Sequence, residues 1–301
     1  MSKTLIVILI ISIIGNLIGV LVVYKYLSAR NWLRQSETKL AETQSAAAGL
    51  SDAVSGLTAK LDESAKTRMV FLHHSVGRGL LEKGRLRDQL LNRGILVSDA
   101  TFGDELGEDT DMNFWLAKFR DRMKQILTFK AHPNQYRIDS VYSNIVMFKS
   151  CFPNSDVVSE GSEPGDPNVP VKTIANYRAL FASLRQEFAR YPNVLFIYLT
   201  APPLVPESTT PENAARARKF NTWLVNEFYP SYKSATGLDN FAAFDLYAVL
   251  ADNSNVLKSE YRQNIAEDSH PNTQGSRAAS ESFLRFFDPL WERWKAAHPG
   301  A

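Results

Sequence analysis

Hydrophobic and polar positions fall into three textures along the chain. Residues 4–24, TLIVILIISIIGNLIGVLVVY, run 21 residues without a charge, and only Thr4, Ser12 and Asn16 are clearly polar. At 1.5 Å per helical residue this stretch predicts a helix that crosses the ~30 Å hydrocarbon core of a bilayer. Its apolar run exceeds that of a cleaved leader, LSA at 27–29 is a poor cleavage site, and no lipobox cysteine follows. Residues 1–27 are therefore expected to be an uncleaved transmembrane anchor. Residues 28–66 are polar, helix-favouring and free of proline. Leu33, Leu40, Ala47, Val54 and Leu61 recur at seven, while Ser36, Thr43, Leu50, Leu57 and Ser64 fill a second seam that is polar at three of five places. This pattern predicts a helical stalk, either a weak coiled coil offering a homodimer or a single solvated spacer.

From residue 68 the texture changes to short apolar runs alternating with amphipathic segments. Strands are expected at 69–74 (MVFLHH), 95–103, 143–150, 193–203 (NVLFIYLTAPP) and 241–247. Helices are expected at 79–94, 113–129, 171–191, 211–229 and 273–294. Such alternation predicts an α/β domain over residues 67–301, three layers deep (α/β/α), with a mainly parallel sheet. In such sheets, sites gather beyond the carboxyl ends of the strands.

Charge and composition narrow the partners. The net charge of +2, without a long basic cluster, gives no footprint for nucleic acid. The one cysteine, Cys151, excludes an intrachain disulfide framework and any CxxC zinc site. Orientation of the anchor is drawn two ways. Lys25, Arg30, Arg34 and Lys39 outnumber Lys3, which favours a cytoplasmic body. A long domain after an N-terminal anchor favours the outside, and an extracytoplasmic body is the expectation adopted.

Three stretches carry reactive groups: HHSVGRG (73–79), KSCFPNSD (149–156) and EDSHPNTQG (267–275). The first offers the Ser75 hydroxyl at a strand-to-helix turn, where main-chain N–H groups favour a developing oxyanion. The second offers the Asn154 amide. The third offers the His270 imidazole with Glu267 and Asp268 close before it, and a general base needs such a carboxylate to fix its tautomer. His73 and His74 are also a candidate metal pair. Adjacent strand residues point to opposite faces, so no metal is expected there. Cys151 is expected to be a small buried residue, with a catalytic thiol as the competing reading. The loop 157–172, rich in proline and glycine, is either an ordinary surface loop or a lid.

Serine, glycine, asparagine and histidine in this order resemble the SGNH (GDSL-like) hydrolases over roughly residues 68–295, most specifically in DSHPNTQG. The resemblance implies a flavodoxin-like fold, Ser75 as nucleophile and His270 as base. It also implies an oxyanion hole of the Ser75 N–H, Gly103 and Asn154, with Gly107 as the alternative glycine. The aspartate usual before the serine is replaced by His74, and Glu267 stands where Asp is usual. Either Glu267 or Asp268 could orient His270, and Asp268 is favoured for its shorter side chain. No cofactor is needed. The implied substrates are esters, on an O-acyl glycan or a lipid, with acyl transfer to a sugar using the same residues. A non-catalytic glycan- or protein-binding module on a tethered scaffold is the alternative, and a metal-dependent hydrolase a third.

Overall fold

The computed structural model describes residues 3–64, 67–132, 135–138 and 142–299, with residues 3–18, 20, 22, 23, 52, 55–64, 131, 132 and 135–138 described by their backbone alone. The chain divides into two compact units, Met1–Ser64 and Ala65–Ala301. The first is a single helix, α1 (Lys3–Ser64), unbroken through the expected anchor–stalk boundary at residue 27. Most side chains of the expected membrane span, residues 4–24, lie outside the described residues. Among the described residues no helix is long and apolar enough to cross a membrane. In the seams, Leu33, Leu40 and Leu50 are exposed. Ser36 and Thr43 donate to the carbonyls of Trp32 and Lys39 one turn back, so these polar seam positions are satisfied within the helix itself. The side chains of Leu57, Leu61 and Ser64 lie outside the described residues.

The second unit opens with β1 (Thr67–Leu72), α2 (Ser75–Leu81), α3 (Leu86–Leu91), β2 (Ile95–Ala100) and α4 (Trp115–Leu127). A hairpin of β3 (Phe129–His132) and β4 (Gln135–Ile138) follows, then β5 (Ile145–Phe148), α5 (Ile174–Ala189) and β6 (Leu195–Leu199). Helix α6 (Pro211–Trp223) runs through a π-helical turn, Leu224–Phe228, into α7 (Tyr229–Thr236). β7 (Phe241–Phe244), α8 (Leu246–Leu250) and α9 (Thr273–Ala297) close the chain.

β2, β1, β5, β6 and β7 form one sheet in that order, every pair parallel. Ranked along the chain the order is 2-1-3-4-5, the flavodoxin-like winding expected from the sequence. Successive strand residues face opposite sides: Met69 and Phe71 pack with α2, α3 and α9, and Val70 and Leu72 with α4 and α5. With both faces covered, β5 (IVMF), β6 (LFIYL) and β7 (FAAF) are buried at every position and read as continuous apolar runs. An aromatic cluster fixes α4 and α5 on the sheet, with Phe188 stacked on Phe196 at 4.1 Å and Phe119 edge-on to Phe148 at 4.8 Å. Helix order reverses around the neighbouring strands β1 and β5, so a crevice opens beyond their carboxyl ends.

Two departures from the expected elements have local causes. The helix expected at 79–94 starts earlier, at Ser75, and breaks into α2 and α3 around Arg85, whose φ is +56°. Helix α9 crosses at this corner, and a Cβ on Gly84 would lie 2.1 Å from Ser280 Oγ and 2.6 Å from the Ser276 carbonyl. The β3–β4 hairpin was not expected, because its four-residue strands are too short to show a period. Gly84→Ala should therefore overpack the α2–α9 contact and lower the unfolding free energy by ~1–3 kcal/mol. Urea denaturation measures this, and an unchanged midpoint would mean the corner shifts away from α9 without cost.

Candidate active site

β1 ends at Leu72, His73 N–H donates to the Ala100 carbonyl at 3.0 Å, and His74 is extended before Ser75 opens α2. The turn is tight because Gly77 lies against the buried His73 ring, where a Cβ would come within 2.3 Å of His73 Cγ. The partner segment reaches the same crevice from the far end of the sequence. Ser269 is fully buried and its Oγ accepts from Val205 N–H at 3.1 Å. Asn272 caps α9, its Oδ1 accepting from Gly275 N–H at 3.0 Å, while its Nδ2 donates to the carbonyls of Glu260 and Arg262. The segment DSHPN is thus pinned on both sides of His270.

These two segments meet. Ser75 Oγ lies 2.6 Å from His270 Nε2, and His270 Nδ1 lies 2.5 Å from Asp268 Oδ1. The His270 main-chain N–H donates to the same Asp268 oxygen at 2.9 Å. A carboxylate only accepts, so Nδ1 carries the proton and Nε2 accepts from the Ser75 hydroxyl. Burial acts to raise the Asp268 carboxyl, but the two His270 hydrogen bonds, the His270 charge and Lys83 outweigh it and leave it lowered, hence ionised at neutral pH. The arrangement can move a proton from Ser75 to His270 and hold the resulting imidazolium beside a carboxylate. Of the two carboxylates expected behind His270, the geometry takes Asp268. Glu267 is exposed, and its carbonyl accepts from Ser208 Oγ at 3.3 Å. At two residues' separation the Asp268 carboxylate can bend back onto the ring, whereas Glu267 points outward.

The expected oxyanion donors are otherwise engaged. Gly103 is exposed, with φ of +90°, and its N–H donates to Glu108 Oε1 at 2.8 Å. The alternative, Gly107, is buried, its N–H donating to the Asp104 carbonyl at 2.9 Å and its carbonyl lying 2.8 Å from His74 Nε2. Asn154 is buried; its Nδ2 donates to Asp111 Oδ1 at 2.7 Å and to the Cys151 carbonyl at 3.2 Å, and its Oδ1 accepts from Met112 N–H. Among the described residues the Ser75 N–H, at the first position of α2, meets no acceptor. The two histidines before it turn to different partners, His73 Nδ1 to the His74 carbonyl and His74 Nε2 to Gly107. Among the described residues no group of three or more metal-ligating side chains gathers.

Several neighbours of Ser75 were not foreseen. Cys151 is buried as expected, but its Sγ sits 3.8 Å from Ser75 Oγ. Phe152 meets the His270 ring edge-on at 4.9 Å, and Phe102 stacks on His74 at 3.6 Å. Ser75 and His270 open onto a cavity of about 460 Å³ lined also by Arg78, Glu82, Lys83 and Gln263. A helix begun at Ser75 places residues 75, 78, 79 and 82 on one face, so that periodicity was the signal for Arg78 and Glu82. It was hidden because the expected helix began four residues late.

Two predictions follow from this geometry. Asp268→Asn should reduce kcat for an ester substrate by ~10²–10⁴-fold by presenting the wrong tautomer, while Glu267→Gln changes it less than about threefold; steady-state kinetics on both variants decide. Burial holds the His73 imidazole below its ordinary 6.5, against the opposing pull of Asp99. His73 is therefore neutral in the fold and must gain a proton on unfolding in acid, so the stability it confers is full above 6.5 and is lost as pH falls below that value. Urea midpoints compared at pH 7.5 and 5 should drop less in His73→Asn than in the parent chain.

No family model matches the sequence, and no curated protein matches it. Solved structures do. The chain is similar to a GDSL-like lipase from Bacteroides thetaiotaomicron, at 11% identity and a TM-score of 0.44 over 74% of this chain and 89% of that one. It is similar to a carbohydrate esterase family 2 enzyme with a carbohydrate-binding domain from Corynascus thermopiles (Myceliophthora fergusii), at 15% identity and 0.41 over 75% and 67%. A third likeness is to the periplasmic domain of a lipopolysaccharide acetyltransferase from Salmonella ser. Paratyphi A, at 13% identity and 0.40 over 74% and 84%.

Proposed function

We propose that the chain is a membrane-tethered serine esterase of the SGNH type, acting on an O-acyl group carried by a polar, glycan-like molecule. The observation that carries the reading is the unbroken hydrogen-bonded series from Asp268 through His270 to Ser75, open to the cavity. In the proposed mechanism Ser75 Oγ gives its proton to His270 Nε2 and attacks the ester carbonyl. The Ser75 N–H receives the oxyanion, joined by Gly103 and Asn154 once these leave their present acceptors. His270 then protonates the leaving alcohol, and water, or the hydroxyl of a second sugar, releases the acyl group from Ser75. The polar lining by Arg78, Glu82, Lys83 and Gln263 supports a sugar over a long apolar chain.

The domain plan belongs to the same proposal: an anchor at 1–27, a stalk at 28–66 and a catalytic body at 67–301 held outside the cytoplasm. The exposed Leu33, Leu40 and Leu50 support pairing of two stalks, since an unpaired leucine seam is costly to leave in water. A second reading, a non-catalytic glycan- or protein-binding module, draws support from the engaged Asn154 amide and Gly103 N–H.

Short-chain acyl esters, an acetylated oligosaccharide and a serine-reactive fluorophosphonate separate the two. The parent chain should turn over the esters and take the label, and Ser75→Ala should lose both by at least ~10³-fold. A folded parent that does neither would support the binding module, and turnover unchanged in Ser75→Ala would remove Ser75 from the mechanism.

A further inference from the structure

The pair of histidines before Ser75 has a role that the proton relay does not use. The peptide joining His74 to Ser75 is planar and trans, so its C=O and N–H point in opposite directions. Whatever fixes the His74 carbonyl therefore aims the Ser75 N–H, the donor left free for an oxyanion among the described residues. That carbonyl accepts two hydrogen bonds: one from Arg78 N–H at 3.2 Å, within the turn of α2, and a shorter one, 2.7 Å, involving His73 Nδ1. A carbonyl only accepts, so the Nδ1 proton is on His73.

His73 itself has almost no freedom. It is fully buried, its ring lies 4.4 Å from that of Phe71, and the missing Cβ of Gly77 leaves the space it fills. Its Nε2 lies 3.8 Å from Asp99 Oδ2, beyond hydrogen-bond reach, and has no hydrogen-bond partner among the described residues; the other Asp99 oxygen is held by Arg87 Nη2 at 2.7 Å. Arg87 is anchored in turn on the Val97 carbonyl at 3.0 Å, so the Asp99 carboxylate is held to β2 and away from the ring. Lys149 and Asp104 are the other charged groups that act on this ring.

Resting on the proposed esterase reading, we propose that His73 is a positioning residue for the oxyanion site: through the His74 carbonyl it aims the Ser75 N–H, and close packing against Phe71 and Gly77 holds the ring in register. The residue before the serine is one of the two at which this chain departs from the SGNH pattern. The assignment gives the double histidine a division of labour, with His73 setting the peptide and His74, through Gly107 and Phe102, fastening the neighbouring loop.

Three substitutions in the full-length chain test it. Asn places an amide N–H where Nδ1 stood, Gln places one nearer the Nε2 position, and Leu has neither. Kinetics with a p-nitrophenyl acetate substrate and fluorophosphonate labelling rates are read on variants whose near-UV circular dichroism matches the parent. His73→Gln and His73→Leu should lower kcat by about 10²-fold, the scale of one lost oxyanion donor, with KM within about twofold. His73→Asn should stay within about tenfold of the parent. If His73→Leu fails to fold, the contrast between Asn and Gln carries the test. Equal losses in Asn and Gln, an unchanged kcat in Gln, or a loss confined to KM would each overturn the assignment while leaving the esterase reading intact. A parent chain that neither hydrolyses the ester nor takes the label would overturn both.

Discussion

Ser75 and His270 stand 195 positions apart and meet at 2.6 Å, and the carboxyl end of the sheet is arranged around keeping that distance. One half of the constraint is the packing of α2 against α9. The facing residues are small: Gly79 and Gly84 on one side, Ser276 and Ser280 on the other, with Ser280 Oγ donating to the Leu80 carbonyl at 3.2 Å. Small residues let two helices approach until backbone meets side chain, and at that separation the packing has little compliance. The serine rides on α2 and the histidine loop leads directly into α9, so the helix contact sets the distance between the Ser75 hydroxyl and the His270 ring.

The second half is the loop between β2 and α4, which closes over the exit of β1. It has little apolar burial of its own and is held by polar groups turned inward. Lys118, buried on α4, donates to the carbonyls of Leu106 and Glu108, and burial lowers its ammonium to about 8. Thr101 N–H is capped by the Asp104 carboxylate at 2.8 Å, a group that burial pushes up. Asn154 reaches in from the end of β5 and takes the Met112 N–H at 3.0 Å. Gly103 and Asn154 are thus fasteners of this loop in the present geometry. This fastening is why Gly103 and Asn154 point at Glu108 and Asp111, while among the described residues the Ser75 N–H meets no acceptor.

Much of this was legible along the chain. The alternation of apolar runs and amphipathic segments determined the five strands of the parallel sheet and most of the helices, because burial on both faces of such a sheet needs continuous apolar strands. DSHPNTQG determined its own local structure, since Asn272 caps a helix three residues before the glycine whose N–H it takes, and Asp268 is near enough to bend back onto His270. Ser75 and His270, with a carboxylate at 267 or 268, were readable as a group because their residue types suit only a narrow chemistry.

The sequence alone left open whatever depends on what another segment does at the same point. It could not place the break between α2 and α3, which exists because α9 passes there, nor choose Asp268 over Glu267, whose carboxylates differ in reach by one bond and in direction by one residue. It could not tell that Asn154 and Gly103 would be engaged, or that His73 would end beneath the serine peptide with Asp99 and Arg87 behind it. Each of these is a contact between elements far apart in the chain. Local propensity fixes what a segment becomes, but which hydrogen bonds its polar groups make is decided only when packing brings the competing acceptors within about 3 Å.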